Sequence, residues 1–385
     1  MKKEHGKSLM LSILSLSLLT VMAGAAVAPA LGVVQVYFAD VNTLFVQMIV
    51  SVPAIFIVIT NLGFARLCRI FRVRTLVLLG LLLYTVGGCM AGCFNQIGLV
   101  LLARALVGIG VGIIMPLSTG LPAFYYPAEQ QARLMGYSSA MNQMGGVIAT
   151  LLSGILAGIS WRASFLVYLL GLISIVLCLI FLPNDKISAS QTGEAPRKIG
   201  GGLKNNWYFV LAMFLLMTTF FVYPTNFAMV VEADGIIPIK YVAVIMAMMD
   251  FVAFLGSLSF VSAKRLCKAK TKFLAPVMFL LGYVLLAAAG GWFGTLLGSV
   301  FIGFANGVGI PYIISATSRR AGKSAVTTVM PLISAALYLA QFLCPMLLAA
   351  VSKVAGSGAS HLPYWTAVVL AVLFCLCSAA ISDND

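Results

Sequence analysis

Charge is what this chain lacks most. Only 9% of its 385 residues are Asp, Glu, Lys or Arg, while 62% are hydrophobic and the mean hydropathy is +1.07. Soluble chains are about a quarter charged, enough to cover a water-facing surface. This chain cannot cover one, and hydrocarbon as the surrounding solvent removes the need. Acids are scarcest: ten in all, and none from residue 41 to residue 128. Histidine occurs twice, at His5 and His361, both outside the apolar runs, so no intramembrane histidine metal site is expected. Six of the eight cysteines lie inside apolar runs, Cys68 and Cys267 lie in basic loops, and Cys375 and Cys377 are two apart. That spacing suits neither zinc nor redox chemistry, and the set reads as small apolar residues without a disulfide framework. Gly322-Lys323-Ser324 has the ending of a phosphate-binding loop, but Thr317 stands where its first glycine must be and no strand precedes it. Neither a nucleotide nor any other cofactor is expected, which leaves an ion or solute gradient as the energy source.

What is present is a series of apolar runs, each near the 20 residues or so that a helix needs to cross the hydrocarbon. They predict an all-α membrane protein with spans at 9–34, 43–65, 75–93, 97–120, 135–158 and 163–182. A second set follows at 207–230, 239–262, 273–290, 292–316, 325–350 and 363–381. The first run, with Lys2, Lys3 and Lys7 before it and Ala26-Val27-Ala28 near its end, has features of a cleaved signal. It is longer than a signal core and more spans follow at once, so a retained helix is expected. The polar stretch 183–206, with Asp185, Lys186, Glu194, Pro196 and three glycines from Gly200, reads as a linker. The expected organisation is a six-helix bundle at 1–182, a linker at 183–206 and a second bundle at 207–385.

Loops assigned alternately put 20 of the 24 Lys and Arg on one side. Arg162, Lys240 and Lys353 fall on the other, and Arg104 lies within a span. The bias places both termini and the linker in the cytoplasm, with a bacterial inner membrane as the expected location. The basic residues then face anionic lipid, and nucleic acid is not needed to explain them. The halves also echo each other. Arg66-Leu67-Cys68-Arg69 matches Arg265-Leu266-Cys267-Lys268 at an offset of 199, Val111-Gly112-Ile113 matches Val308-Gly309-Ile310 at 197, and Gln143 matches Gln341 at 198. Repeated halves are a hallmark of transporters, in which one half rocks against the other.

The fourth span carries Arg104 followed by Gly108, Gly110 and Gly112, and Trp161-Arg162-Ala163-Ser164-Phe165 follows the fifth. On these motifs the chain resembles the major facilitator superfamily, most closely its drug and metabolite proton-antiporter branch. The resemblance implies two six-helix bundles and alternating access. Two departures stand out. In loop 2–3 only Gly63 and Arg72 match the family signature, and its acid is missing. In the fifth span Gly145 through Gly154 keeps small residues but not the Gly-Pro of the antiporters. Small residues still allow close helix contact.

Charges in hydrocarbon are costly and mark candidate functional sites. Arg104 lies seven residues into its span, about 10 Å from the edge. It either binds an anionic substrate, holds a nearby acid deprotonated, or bridges helices. Asp250 lies eleven residues into span eight, near mid-membrane, and is the one acid well inside a span. A carboxyl there either exchanges a proton and couples it to transport, or stays neutral at a helix contact. Asp40, Glu232 and Asp234 read as outer-loop acids. Asn142, Gln143 and Gln341, with Tyr223, Asn226 and Asn306 as weaker candidates, either bind substrate or bond across helices. The resembled fold sets these spans beside its substrate cavity. Pro116, Pro311 and Pro345 are positioned to kink their helices. The expected function is proton-coupled transport of a small organic solute, outward by antiport, with an uptake symporter or facilitator as the alternative. A membrane enzyme, receptor or channel would need a paired nucleophile and base, a soluble domain, or a polar stripe, none of which is present.

Overall fold

A computed structural model describes residues 7–186, 207–235, 237–288, 291–355 and 361–380; within its helices the side chains at 65, 123, 128, 129, 132, 239, 269 and 318–328 fall outside the description. Most of the expected linker, 187–206, also lies outside the described residues. No strand occurs among the described residues. Backbone N–H and C=O groups have no water to bond in hydrocarbon, so each span satisfies its own by forming a helix. Among the described residues, twelve stretches are long and apolar enough to cross a membrane. The chain divides into two compact units, Met1–Gly193 and Glu194–Asp385.

The first unit holds α1 (Lys7–Ala25), α2 (Leu31–Tyr37), α3 (Thr43–Ile70), α4 (Val73–Ala91), α5 (Ile97–Tyr125), α6 (Ala128–Ala157) and α7 (Leu170–Phe181). The first apolar run is a single span broken in its middle. Pro29 has no N–H to continue α1, and a 3-10 turn at Ala28–Ala30 hands the chain to α2. Asn42 caps α3, its side chain accepting from the Leu44 N–H at 2.9 Å. α5 packs against both α3 and α4, and α6 against α1.

The second unit holds α8 (Trp207–Asp234), α9 (Ile239–Cys267), α10 (Thr271–Ala288), α11 (Trp292–Ala355) and α12 (Leu362–Ala380). α11 carries two spans, Trp292–Thr317 and Val329–Ala355, in one run of helical backbone. It cannot be straight. Ser299 bonds Tyr223 and Cys344 bonds the Thr218 carbonyl, two points only five residues apart on α8. A straight helix would put Ser299 and Cys344 about 67 Å apart at 1.5 Å per residue. The chain therefore reverses between them while keeping helical backbone, where the sequence predicted a loop. The basic side chains expected there, Arg319, Arg320 and Lys323, are not among the described ones.

Two other expected loops are also largely helical. Arg66 and Arg69 ride on the end of α3, and Lys264 and Arg265 on the end of α9. Lys and Arg are good helix formers and suit a helix C-terminus, so the helices run on past the apolar core. Glu232 and Asp234 likewise sit in the last turn of α8 rather than in a loop.

Candidate functional site

Arg104 is fully buried on α5. Its Nε donates to the Ile49 carbonyl at 2.7 Å, one terminal nitrogen donates to the Tyr168 hydroxyl, and the other donates to the Ala23 carbonyl. Tyr168 completes the triangle by donating to Ala23 O at 2.8 Å. Both carbonyls lack their usual helical donor. Ile49 would bond residue 53, which is Pro53 and has no N–H. Ala23 would bond the Val27 N–H, which turns to Gly24 O at the break in span one. The guanidinium therefore closes two interrupted helices while its charge stacks 5.3 Å from the Tyr168 ring centre. These three hydrogen bonds go to backbone and phenol oxygens, the pattern of a bridging arginine. Gly88 makes room for Tyr168: a Cβ there would lie 2.1 Å from the ring.

The glycines of the fourth span set this geometry. A Cβ on Gly108 would lie 2.4 Å from Pro53 O, and one on Gly112 2.7 Å from the Thr60 Cβ, so both face α3. Gly110 faces α4, where a Cβ would lie 2.6 Å from Gly80 O. On α6, Gly145 meets the Leu18 carbonyl, and one turn away Asn142 accepts from the Thr20 hydroxyl. Asn142 thus ties α6 to α1. Gln143 and Gly154 are half-buried on the same helix. Gly63 has nothing within 4 Å of a Cβ, and Arg72 is the exposed N-cap of α4. The Asp185 backbone carbonyl accepts from the Val73 N–H at 3.0 Å, and its side chain accepts from the Tyr125 hydroxyl at 3.3 Å. Burial, with the Asp185 carboxylate adding to it, pushes the Tyr125 phenol above its ordinary range.

In the second unit Asp250 is half-buried on α9, within electrostatic range of Tyr223 on α8. Tyr223 is fully buried, stacks 4.4 Å from the Phe227 ring and hydrogen-bonds Ser299 across to α11 at 2.7 Å. Asn226, one turn on, donates to Val222 O at 3.0 Å and to the Thr225 hydroxyl at 2.9 Å. Asn306 and Gln341 are buried on α11, and the Asn306 side-chain oxygen has no hydrogen-bond partner among the described residues. Each unit therefore brings some of its predicted polar residues onto facing helices. Arg104 belongs to one unit and Asp250 to the other.

The repeat aligns more tightly by packing than by sequence. Gly307 meets Ala253 O as Gly108 meets Pro53 O, an offset of 199 on this helix rather than 197. At that offset Gly303 takes the place of Arg104, and a Cβ on it would lie 2.3 Å from Met249 O. Where the first unit inserts a guanidinium between helices, the second brings α9 and α11 into direct contact beside Asp250. Its own proline break is treated differently too. Pro224 leaves the Phe220 carbonyl without a donor, and the Tyr283 hydroxyl sits 3.4 Å from it and 2.5 Å from Thr219 O. Tyr168, Ser299 and Tyr283 are not among the predicted site residues. Interior Pro224 is the signal that points to Tyr283, since a proline marks a carbonyl four residues earlier in need of an outside donor, as Pro53 does for Arg104.

A family model described as Major Facilitator Superfamily matches residues 9–345. The quinolone resistance protein NorA of Staphylococcus aureus is 27% identical over 119 residues, 31% of each chain. The uncharacterized transporter YebQ of Escherichia coli is 29% identical over 145 residues, 37% of this chain and 32% of that one. These matches span about a third of the length of those relatives. Two solved structures share the fold over nearly the whole chain. One is a bacterial homolog of the human lysosomal transporter Spinster, with a TM-score of 0.76, 15% identity, and coverage of 96% of this chain and 94% of that one. The other is the nucleoside transporter NupG, with a TM-score of 0.75, 14% identity, and coverage of 97% and 98%. With its twelve membrane-length helices and a family model matched over most of its length, the chain belongs to the Major Facilitator Superfamily, a family of transporters and not of enzymes.

Proposed function

We propose that this chain is a proton-coupled secondary transporter that moves a small organic solute across the membrane by alternating access, outward in exchange for protons. The observation that carries the reading is Asp250, a carboxyl set near mid-span on α9 beside the buried Tyr223–Ser299 pair. It is the group positioned to load and release the proton, and Arg104 serves the first bundle by holding its broken helices in register. Asn142, Gln143, Tyr223, Asn226, Asn306 and Gln341 are the candidate substrate contacts. The partial likeness to a quinolone resistance protein supports a drug or drug-like metabolite as cargo. The bundles are taken as 1–182 and 207–385, joined by a cytoplasmic linker, with both termini cytoplasmic in a bacterial inner membrane and lipid as the surrounding partner.

Transport in proteoliposomes with and without an imposed pH gradient tests the coupling. A gradient should drive accumulation in the native chain, and Asp250→Asn should abolish that drive while leaving counterflow exchange. An Asp250→Asn variant with an unchanged pH profile would sink the proposal. The second reading, a symporter or facilitator, is favoured by the loss of Gly-Pro in the fifth span. It predicts uptake down or with the proton gradient in the same vesicles.

A further inference from the structure

Outside the residues assigned so far, the second unit has a small, partly open cavity at the end of α8. Phe227, Val230, Val231, Ile237 and Leu286 make its apolar wall. At its rim His361 Nε2 lies 3.2 Å from Asp234 Oδ2, and both side chains are mostly buried. The pair joins the last turn of α8 to the residue that precedes α12, and so links the first and last spans of the bundle. The titratable groups among the lining residues are Asp234 from α8, His361 itself and Tyr364 from α12. The Tyr364 ring centre is 5.8 Å from that of His361. α10 contributes Leu286, and α11 with the residue before it contributes Thr295 and Gly291, none of them titratable. Glu232, two residues before Asp234, is half-buried and does not line the cavity. The His361 Nδ1 is buried with no hydrogen-bond partner among the described residues.

The repeat gives this pair a counterpart. An offset of 199 sets His361 at the place of Arg162 in the first unit. Arg162 reaches back to the end of the first span there, donating to the Tyr37 hydroxyl at 3.0 Å, and also bonds Asn95. Each bundle thus has one basic side chain just before its sixth span clasping the end of its first. Arginine keeps its charge at all working pH, whereas imidazole ordinarily changes charge between pH 5 and 8. We propose that Asp234 and His361 form a proton-binding site, a clasp that tightens over this cavity when a proton converts its hydrogen bond into an ion pair and loosens when the proton leaves. The site is separate from Asp250 and does not depend on the role given to that residue.

Amide hydrogen exchange of the purified full-length chain at pH 5.5 and pH 8, corrected for the intrinsic pH dependence of exchange, tests this. Protection at 227–234 and 362–366 should be about 1.5- to 5-fold higher at pH 5.5, the range of a partly exposed ion pair. Asp234→Asn and His361→Gln should each erase the difference, and the double variant should add nothing. His361→Arg should give high protection at both pH values, as the Arg162 clasp does by nature. Asp250→Asn should leave the difference intact. A pH difference that survives His361→Gln, or one that vanishes in Asp250→Asn, overturns the clasp. Loss of the Asp250 reading in the transport assay leaves it standing.

Discussion

The Ile49 carbonyl, which Pro53 deprives of its helical donor, accepts a hydrogen bond from the Nε of Arg104 at 2.7 Å. A charged residue in hydrocarbon and a proline inside a helix are each costly alone. Here each meets the other's need, and the first prediction follows from that pairing. Arg104→Met should destabilise the chain by about 1–3 kcal/mol, because it leaves the buried Ile49 carbonyl unpaired and takes one of two donors from the Ala23 carbonyl. Pro53→Ala restores an N–H to the Ile49 carbonyl. In the Arg104→Met background it should recover about 1 kcal/mol or more, while on its own it gains little. Thermal unfolding of the four proteins in one detergent measures the coupling. Strictly additive effects would show that the guanidinium and the proline do not share a carbonyl.

A second prediction concerns helix contacts. Gly307→Ala places a Cβ 2.1 Å from Ala253 O, and Gly108→Ala one 2.4 Å from Pro53 O. Backbone on the far side cannot step away as a flexible side chain could. Each should cost about 1–3 kcal/mol. Gly63→Ala, with nothing within 4 Å, should be neutral within about 0.5 kcal/mol. Melting temperatures of the three variants rank them.

Cysteine accessibility gives a third. Cys93 is exposed just beyond α4, whereas Cys68 is buried near the end of α3, where burial pushes its thiol from 9.0 up to about 11. The thiolate is the reactive form, so a raised value means less of it at any pH below 11. In right-side-out vesicles at pH 7.5 an impermeant maleimide should label Cys93 and spare Cys68. In detergent, Cys68 labelling should rise steeply only as the pH approaches 11. Labelling of Cys68 from outside the vesicle at pH 7.5 would reverse the proposed orientation.

The fourth lies at the end of α9. Lys268 holds a φ of 47° as the residue that ends the helix, and its N–H bonds Lys264 O. A left-handed φ favours glycine, since a Cβ crowds the following carbonyl. Lys268→Gly should stabilise the chain by about 0.5–1 kcal/mol, read as a small rise in melting temperature. A fall would mean that the lysine charge at this helix end outweighs the backbone strain.

Much of this was legible beforehand because hydrocarbon enforces simple rules. Apolar length placed the spans within a few residues. Other features depend on partners far away in the chain. Arg104 was legible as costly, yet whether it faced a solute or a backbone depended on Ala23, Ile49 and Tyr168, which only folding brings together. The helical ends of α3, α8 and α9 were hidden because apolar length stops at the hydrocarbon while helical hydrogen bonding does not. The helical backbone through the reversal within α11 was hidden for the same reason. The offset of 197 came from matching residue types, whereas the offset of 199 on α5 and α11 comes from which backbone each glycine touches.

The three-way anchorage of Arg104 also bears on how the chain is built. Synthesis proceeds from the N-terminus, so α1 and α3, which carry the Ala23 and Ile49 carbonyls, precede α5 into the bilayer. The third partner, Tyr168, is made 64 residues after the arginine. Arg104 must therefore enter lipid with two acceptors waiting and one still to come, which ties the insertion of α5 to the presence of its predecessors. The second bundle has Gly303 in that position and a neutral phenol at its own proline break, so no guanidinium at this point of it waits on earlier carbonyls.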